Sequence, residues 1–476
     1  MTRFAANVVR ASVGLFGASL LGLAIQVVIA RALGVEAFGL YGFALAYVGL
    51  WQVLMDGGTV VLATREARRA APGVQRALVT AKPAMILGAY VGLVAVARLA
   101  GFPPSARHVV AVLGVAAAAT AVMTFGLGIF RGYEEFGVET FHLIAQRTVF
   151  GALVAVALAL GAGVLGVSAA AALSSAGAAV SVVVLLHRRH DVRPGVDTPA
   201  LRRHGRALFQ AAGPLFAADA LSQVHGRGAQ LILQFARGTA EVGTYTAARR
   251  LVEGLHLLPA AFAIALFPRL VAAWREQPQR FPARLGVGLR FTAALAAAVL
   301  VGGTLWAEEI MVFLFGHRYA GSIPVFQVLL GALAVMMLNA VATLALIAAG
   351  RERAYAAVLA AAALVNIAVN LALAPGLGGV GAAWASLASE AVLLAGCLLA
   401  LRRTVPGFLP VKEWLALATA AVLAFALLAA VKRASAAAAA VLTSVVLVGG
   451  FEIASPLGVL DLLTGGARGS TDDAEV

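Results

Sequence analysis

One cysteine, Cys397, serves the whole 476-residue chain, so an intramolecular disulfide is excluded. Lysine is nearly as scarce. Only Lys82, Lys412 and Lys432 occur, none of them after a glycine, and the chain therefore lacks a phosphate-binding loop for ATP. No His or Cys pair has metal-ligand spacing on a polar loop, and no Gly-x-Ser-x-Gly elbow is present. The segment 307–321, the longest expected on the outer face, offers only Glu308, Glu309 and His317 to an enzyme. We therefore expect no catalytic residues, no metal and no cofactor. Charged residues make up only 12% of the chain, against about 25% in a soluble domain.

Apolar residues fill the gap: they are 62% of the chain, and the mean hydropathy is +0.94. Fourteen apolar runs between residues 11 and 454 are each close to or beyond the roughly 20 residues that cross a bilayer. The first run follows Arg3 and Arg10 as a leader peptide would, but it continues into a second run, which predicts an uncleaved helix. Fourteen crossings put both termini on one side. The segments on that side carry 26 of the 36 Lys and Arg residues, the opposite side seven, and three lie within the runs. The excess predicts cytoplasmic termini in an inner (plasma) membrane. The net charge of +14 then reflects basic loops beside an anionic leaflet, and nucleic acid is not expected as a partner.

The chain repeats itself in two blocks. Gly34, Gly39, Tyr41 and Ala44 match Gly238, Gly243, Tyr245 and Ala248 at an offset of 204, and Gly166, Val167, Ala169 and Ala170 match Gly379, Val380, Ala382 and Ala383 at an offset of 213. Both blocks join equivalent runs in the same order. The expected fold is thus an all-α polytopic membrane protein of about 14 transmembrane helices. Two six-helix lobes, related by a pseudo-two-fold along the membrane normal, are followed by two extra helices. The boundaries are 1–186 for the first lobe, 187–206 for a cytoplasmic connector and 207–403 for the second lobe. The two added helices occupy 404–456 and a cytoplasmic tail 457–476.

The seventh run, 207–235, carries Asp219, Gln223, Arg227, Gln230 and Gln234 at steps of four, four, three and four. At about 100° per residue they form one helical stripe within an arc of roughly 80°. An acid or base at bilayer depth costs about 2.5 to 3.5 kcal/mol on insertion scales, so the stripe is expected to face an interior or an aqueous cavity. Arg249 and Arg250, in run 242–267, lie at a depth comparable to Arg227, about 10 to 12 Å inside the outer boundary. Glu253 and His256 continue a second stripe. Two readings stay open: the three arginines form a fork-shaped clamp for phosphate oxygens, or Arg227 and Arg249 pair with Asp219 and Glu253 as internal ion pairs. Asp56, His225, His256, Asn366 and Asn370 are candidates for coupling or gating, each with a plain alternative as a cap, a packed ring or an interhelical link.

Several stretches resemble one family. Ala30-Arg31-Ala32-Leu33-Gly34, Phe38-Gly39-Leu40-Tyr41 and Asp56-Gly57-Gly58 are similar to the amino-terminal signature of polysaccharide biosynthesis proteins, the lipid-linked oligosaccharide flippases. Leu266-Phe267-Pro268-Arg269, Leu314-Phe315-Gly316-His317-Arg318-Tyr319 and the run from Asn366 through Pro375 to Ser389-Glu390 extend the resemblance over residues 5 to 405. It implies the multidrug, oligosaccharidyl-lipid and polysaccharide exporter superfamily, with two six-helix lobes around a central cavity and alternating access. The expected cargo is a polyprenyl-diphosphate-linked glycan such as an O-antigen or exopolysaccharide unit, held in the cavity by Arg227, Arg249, Arg250, Asp219, Gln223, Gln230 and Glu253. The bilayer and a polysaccharide polymerase or glycosyltransferases of the same pathway are the expected partners. A drug or organic-cation antiporter of the same superfamily, and a membrane enzyme of envelope synthesis, are the alternatives.

Overall fold

The computed structural model describes residues 3–68, 72–192, 195, 197–405, 428, 430, 432 and 443, and every regular element among them is helical. The helices are α1 (Arg3–Asp56), α2 (Thr59–Glu66), α3 (Pro72–Leu99), α4 (Pro104–Gly132), α5 (Phe136–Ala159), α6 (Gly163–His190), α7 (Thr198–Arg237), α8 (Thr239–Leu255), α9 (Leu257–Glu276), α10 (Phe281–Leu305), α11 (Ala307–Phe315), α12 (Ser322–Ala348) and α13 (Glu352–Thr404). The two helices expected over 404–456 and the tail 457–476 lie almost wholly outside the described residues.

Eight helical runs among the described residues are long and apolar enough to cross a membrane. Two of them, Gly17–Glu66 and Glu352–Thr404, contain 50 and 53 residues. A bilayer core takes about 20 helical residues, so each holds two crossings. Each is bent at a glycine with non-helical torsions, Gly34 (φ 76°, ψ 176°) and Gly378 (φ 59°, ψ −138°). A positive φ is open to glycine at little cost, which is why the chain can turn there.

Three expected boundaries shift. The seventh helix starts at Thr198 rather than at 207, because Asp197 accepts a hydrogen bond from the Ala200 amide at 2.9 Å and Pro199 sits in the first turn. Hydropathy registers only the apolar part of that helix, whereas the cap starts it in the polar segment. The eighth run divides at His256 into α8 and α9. The second run is interrupted by Gly57 and Gly58, both at positive φ, which part α1 from α2.

The chain forms two compact units, Met1–Arg250 and Leu251–Val476, a division that falls inside α8. In the first, Leu62, Ile129, Phe130 and Val182 pack α2, α4 and α6 together. In the second, Leu270, Leu285, Leu346 and Cys397 join α9, α10, α12 and α13.

Topology is testable by thiol labelling, since Cys397 is fully buried and gives little background. Gly195→Cys, at an open position on the connector, should react with a membrane-impermeant reagent only after permeabilisation, and Ala240→Cys should react in intact cells. Labelling of Gly195→Cys in intact cells would reverse the orientation.

Candidate functional site: a polar seam in the first unit

The repeated glycine block packs against its own copy. A Cβ on Gly39 would strike the Thr239 carbonyl oxygen, and a Cβ on Gly243 would strike the Val35 carbonyl oxygen. These are the same contact twice, because Val35 and Gly39 correspond to Thr239 and Gly243 at the offset of 204. Gly34 and Gly238 share a conformation as well, with φ of 76° and 87° and ψ of 176° and −175°. Two helix starts thus meet backbone to backbone around a local two-fold. About one and three turns further in, Thr246 sits on Gly42 and the Arg227 guanidinium on Gly49. Small residues in such a row let helices approach closely where no hydrophobic force drives them together.

The α7 stripe lies along this contact. Asp219 hydrogen-bonds Gln223, Gln223 Oε1 accepts from Arg227 Nε at 2.7 Å, and Arg227 Nη1 donates to the Leu45 carbonyl at 2.9 Å. The acid and the base are therefore linked through the amide between them. Buried Gln230 donates from Nε2 to Thr246 Oγ1 at 3.0 Å. Arg249 Nη2 lies beside Gly226 of α7, while Arg250 is the charged neighbour of Tyr41 and of Arg147. Arg147 rests its guanidinium on Gly22 of α1. The sequence-derived arginines thus lie on helices of one unit, and Arg250 has a fourth, Arg147, as its neighbour. His225 is half-buried on α7, and Glu253 and His256 are half-buried where the second unit begins.

Counting basic residues by segment placed Lys82 and Arg147 in cytoplasmic loops, and the structure corrects both. Arg147 stands about 16 Å along α5 and Lys82 about 15 Å along α3, at the 1.5 Å rise of a helix. Lys82 falls in the apolar run 78–100 and Arg147 in the run 141–161, although both are counted above with the segments of the terminal side. Lys82 is 3% exposed. Its Nζ donates to the Met55 carbonyl at 2.8 Å and to Thr59 Oγ1 at 3.1 Å, and pairs with Asp56 Oδ1 at 3.4 Å. Asp56 is thus tied to α3 at the α1–α2 break, and Asp219 is its electrostatic neighbour.

The second unit has its own polar set. Asn366 Nδ2 donates to Ser389 Oγ at 3.1 Å, and Asn370 Nδ2 to Asn366 Oδ1 at 3.0 Å, which links the two arms of α13 across the bend. Asn339 of α12 donates to Glu390 Oε2 at 2.7 Å, an intramembrane acid that pattern reading passed over because no stripe contains it.

A many-spanning helical fold with charged side chains bonded inside its spans defines a polytopic membrane protein with a polar interior. The profile of the polysaccharide biosynthesis protein family matches residues 4–274, and the chain belongs to that family. Its fold is shared with solved structures. The lipid II flippase MurJ in an inward closed conformation is 14% identical, with a TM-score of 0.77 over 96% of this chain and all of that one. An inward-facing multidrug resistance MATE family transporter of the MOP superfamily is 16% identical, with a TM-score of 0.62 over 82% of this chain and 95% of the other. A MOP superfamily transporter from Pyrococcus furiosus, described as having a binding pocket of reverse polarity, is 18% identical, with a TM-score of 0.58 over 83% and 95%. A search of curated proteins finds no match.

Two stability experiments follow. Gly39→Ala forces backbone apart and should destabilise the first unit by about 1–3 kcal/mol, whereas Gly228→Ala, with open space around it, should be neutral. Equal melting temperatures for the two in detergent would contradict the close contact. Lys82→Met leaves Asp56 without its cation and should cost roughly 3–5 kcal/mol, most of it regained on adding Asp56→Asn. A double variant no more stable than the single one would show that the pair is not the cause.

Proposed function

We propose that this membrane protein is a flippase, moving a polyprenyl-diphosphate-linked glycan from the cytoplasmic to the outer leaflet by alternating access. The observation that carries the reading is the gathering of Arg147, Arg227, Arg249 and Arg250 within one unit of a chain from the polysaccharide biosynthesis family. Guanidinium stays charged at all relevant pH and bonds phosphate oxygens through a planar fork, so a diphosphate is the group such a set binds best. Gln223, Gln230 and Asp219 supply amide and carboxylate groups for sugar hydroxyls, with Glu253 added from the next turns of α8. The lipid tail stays in the bilayer, a solvent that already suits it.

The fold neighbours named above, a lipid II flippase and multidrug transporters, support transport over catalysis. Asp56, His225, His256, Asn366 and Asn370 are assigned to coupling or gating. Both termini lie in the cytoplasm, and a polymerase or glycosyltransferases of the same pathway supply and consume the cargo.

Arg249→Ala and Arg250→Ala each remove a charge-assisted donor worth about 1.5 to 3 kcal/mol, so a lipid-linked diphosphate should bind roughly 10 to 100 times more weakly. Lysine should rescue only in part, because it lacks the fork. Arg227→Ala should in addition lower protein yield, since Arg227 also bonds Leu45. Near-wild-type affinity in folded Arg249 and Arg250 variants would sink the clamp. Binding of organic cations that disappears in Asp219→Asn would favour the antiporter instead.

A further inference from the structure

The cytoplasmic ends of α5 and α6 frame a groove of about 570 Å³ that belongs to none of the arrangements above. Its walls change character along its length. Arg188 and Arg189, in the last turn of α6, form one end. Phe141 and Val184, 65% and 44% exposed, form a side that opens outward. Buried His142 lies between, donating from Nδ1 to the Val138 carbonyl at 2.8 Å. That bond makes Nε2 the acceptor for the Ser181 hydroxyl at 3.1 Å and leaves the oxygen lone pairs of Ser181 for another donor.

The nearby acids are already matched. Glu134 pairs with Arg68 at 2.8 Å, Glu139 with Arg131, Glu135 with both Arg189 and His190 at 2.8 and 2.9 Å, and exposed Asp191 lies 3.9 Å from His187. Arg188 makes no ion pair or hydrogen bond with the described residues. Arg188 therefore keeps an unpaired guanidinium at the mouth of the groove, beside an apolar, outward-open wall. A soluble anion would use the charge and leave the wall wet. An acyl chain alone would use the wall and leave the charge idle.

We propose that this groove binds an anionic glycerophospholipid of the cytoplasmic leaflet. Its phosphodiester lies against Arg188 and Arg189, its hydroxyl-bearing headgroup or glycerol reaches Ser181, and one acyl chain runs along Phe141 and Val184. Basic grooves between helices on the cytoplasmic side are where anionic headgroups concentrate. The site is independent of the arginine set in the membrane interior and of the cargo proposed for it.

The test is native mass spectrometry of the full chain released from mixed phosphatidylglycerol and phosphatidylcholine nanodiscs. Wild type should retain phosphatidylglycerol in preference, and Arg188→Gln should weaken that retention about tenfold, the weight of one charge-assisted bond. Arg188 supports no other residue, so the variant folds. Arg203→Gln, an exposed charge outside the groove, should change nothing. Equal retention in wild type and Arg188→Gln would overturn the site, as would equal losses in Arg188→Gln and Arg203→Gln. Displacement of the lipid by millimolar inorganic phosphate would assign the groove to a free anion. Loss of phosphatidylcholine in parallel would remove the role of charge.

Discussion

The first unit depends on a contact in which two backbones touch. Gly39 lies on the Thr239 carbonyl and Gly243 on the Val35 carbonyl, and no side chain of any kind fits at either glycine without moving a helix. Close approach at this point sets the spacing of everything further along α1, α7 and α8. Arg227 reaches the Leu45 carbonyl, and Gln230 reaches Thr246, only because the helices start out this near to each other. In a bilayer, where helices gain nothing from burying apolar surface, packing and polar bonds of this kind are what hold a bundle together.

The polar groups inside the spans share one solution to their desolvation. Lys82 spreads its charge over a carbonyl, a hydroxyl and a carboxylate. Arg227 uses a carbonyl and an amide. Each base bonds at least one oxygen of a neighbouring helix, so each also fixes a helix position. Charge and architecture are therefore not separable here: a substitution that removes a charge also loosens a helix contact, and binding assays need a stability measurement beside them.

Much of this was legible in the sequence. The apolar runs located the eight helical runs long and apolar enough to cross, and the four-residue steps on α7 placed Asp219, Gln223 and Arg227 on one face, where they are now bonded in order. The glycine block was legible as a repeat, but not as a contact with its own copy, because a match at a fixed offset carries no distance. Lys82 and Arg147 were misassigned for a different reason. A topology count takes each basic residue to the nearer loop, and it is blind to carbonyls that can hold a charge inside a helix bundle. The α7 start was obscured because hydropathy follows the bilayer, whereas the Asp197 cap follows the backbone.

The stripe on α7 also bears on how the protein is made. Among the described helices, α7 is 40 residues long and yet is not one of the runs apolar enough to cross unaided. An isolated helix carrying Asp219 and Arg227 partitions poorly from a translocation channel into lipid. Its partners, Leu45 on α1 and the Asp56–Lys82 pair near Asp219, are synthesised earlier. The first six helices thus serve as the solvent into which the seventh is delivered, and its insertion becomes a step of assembly with them.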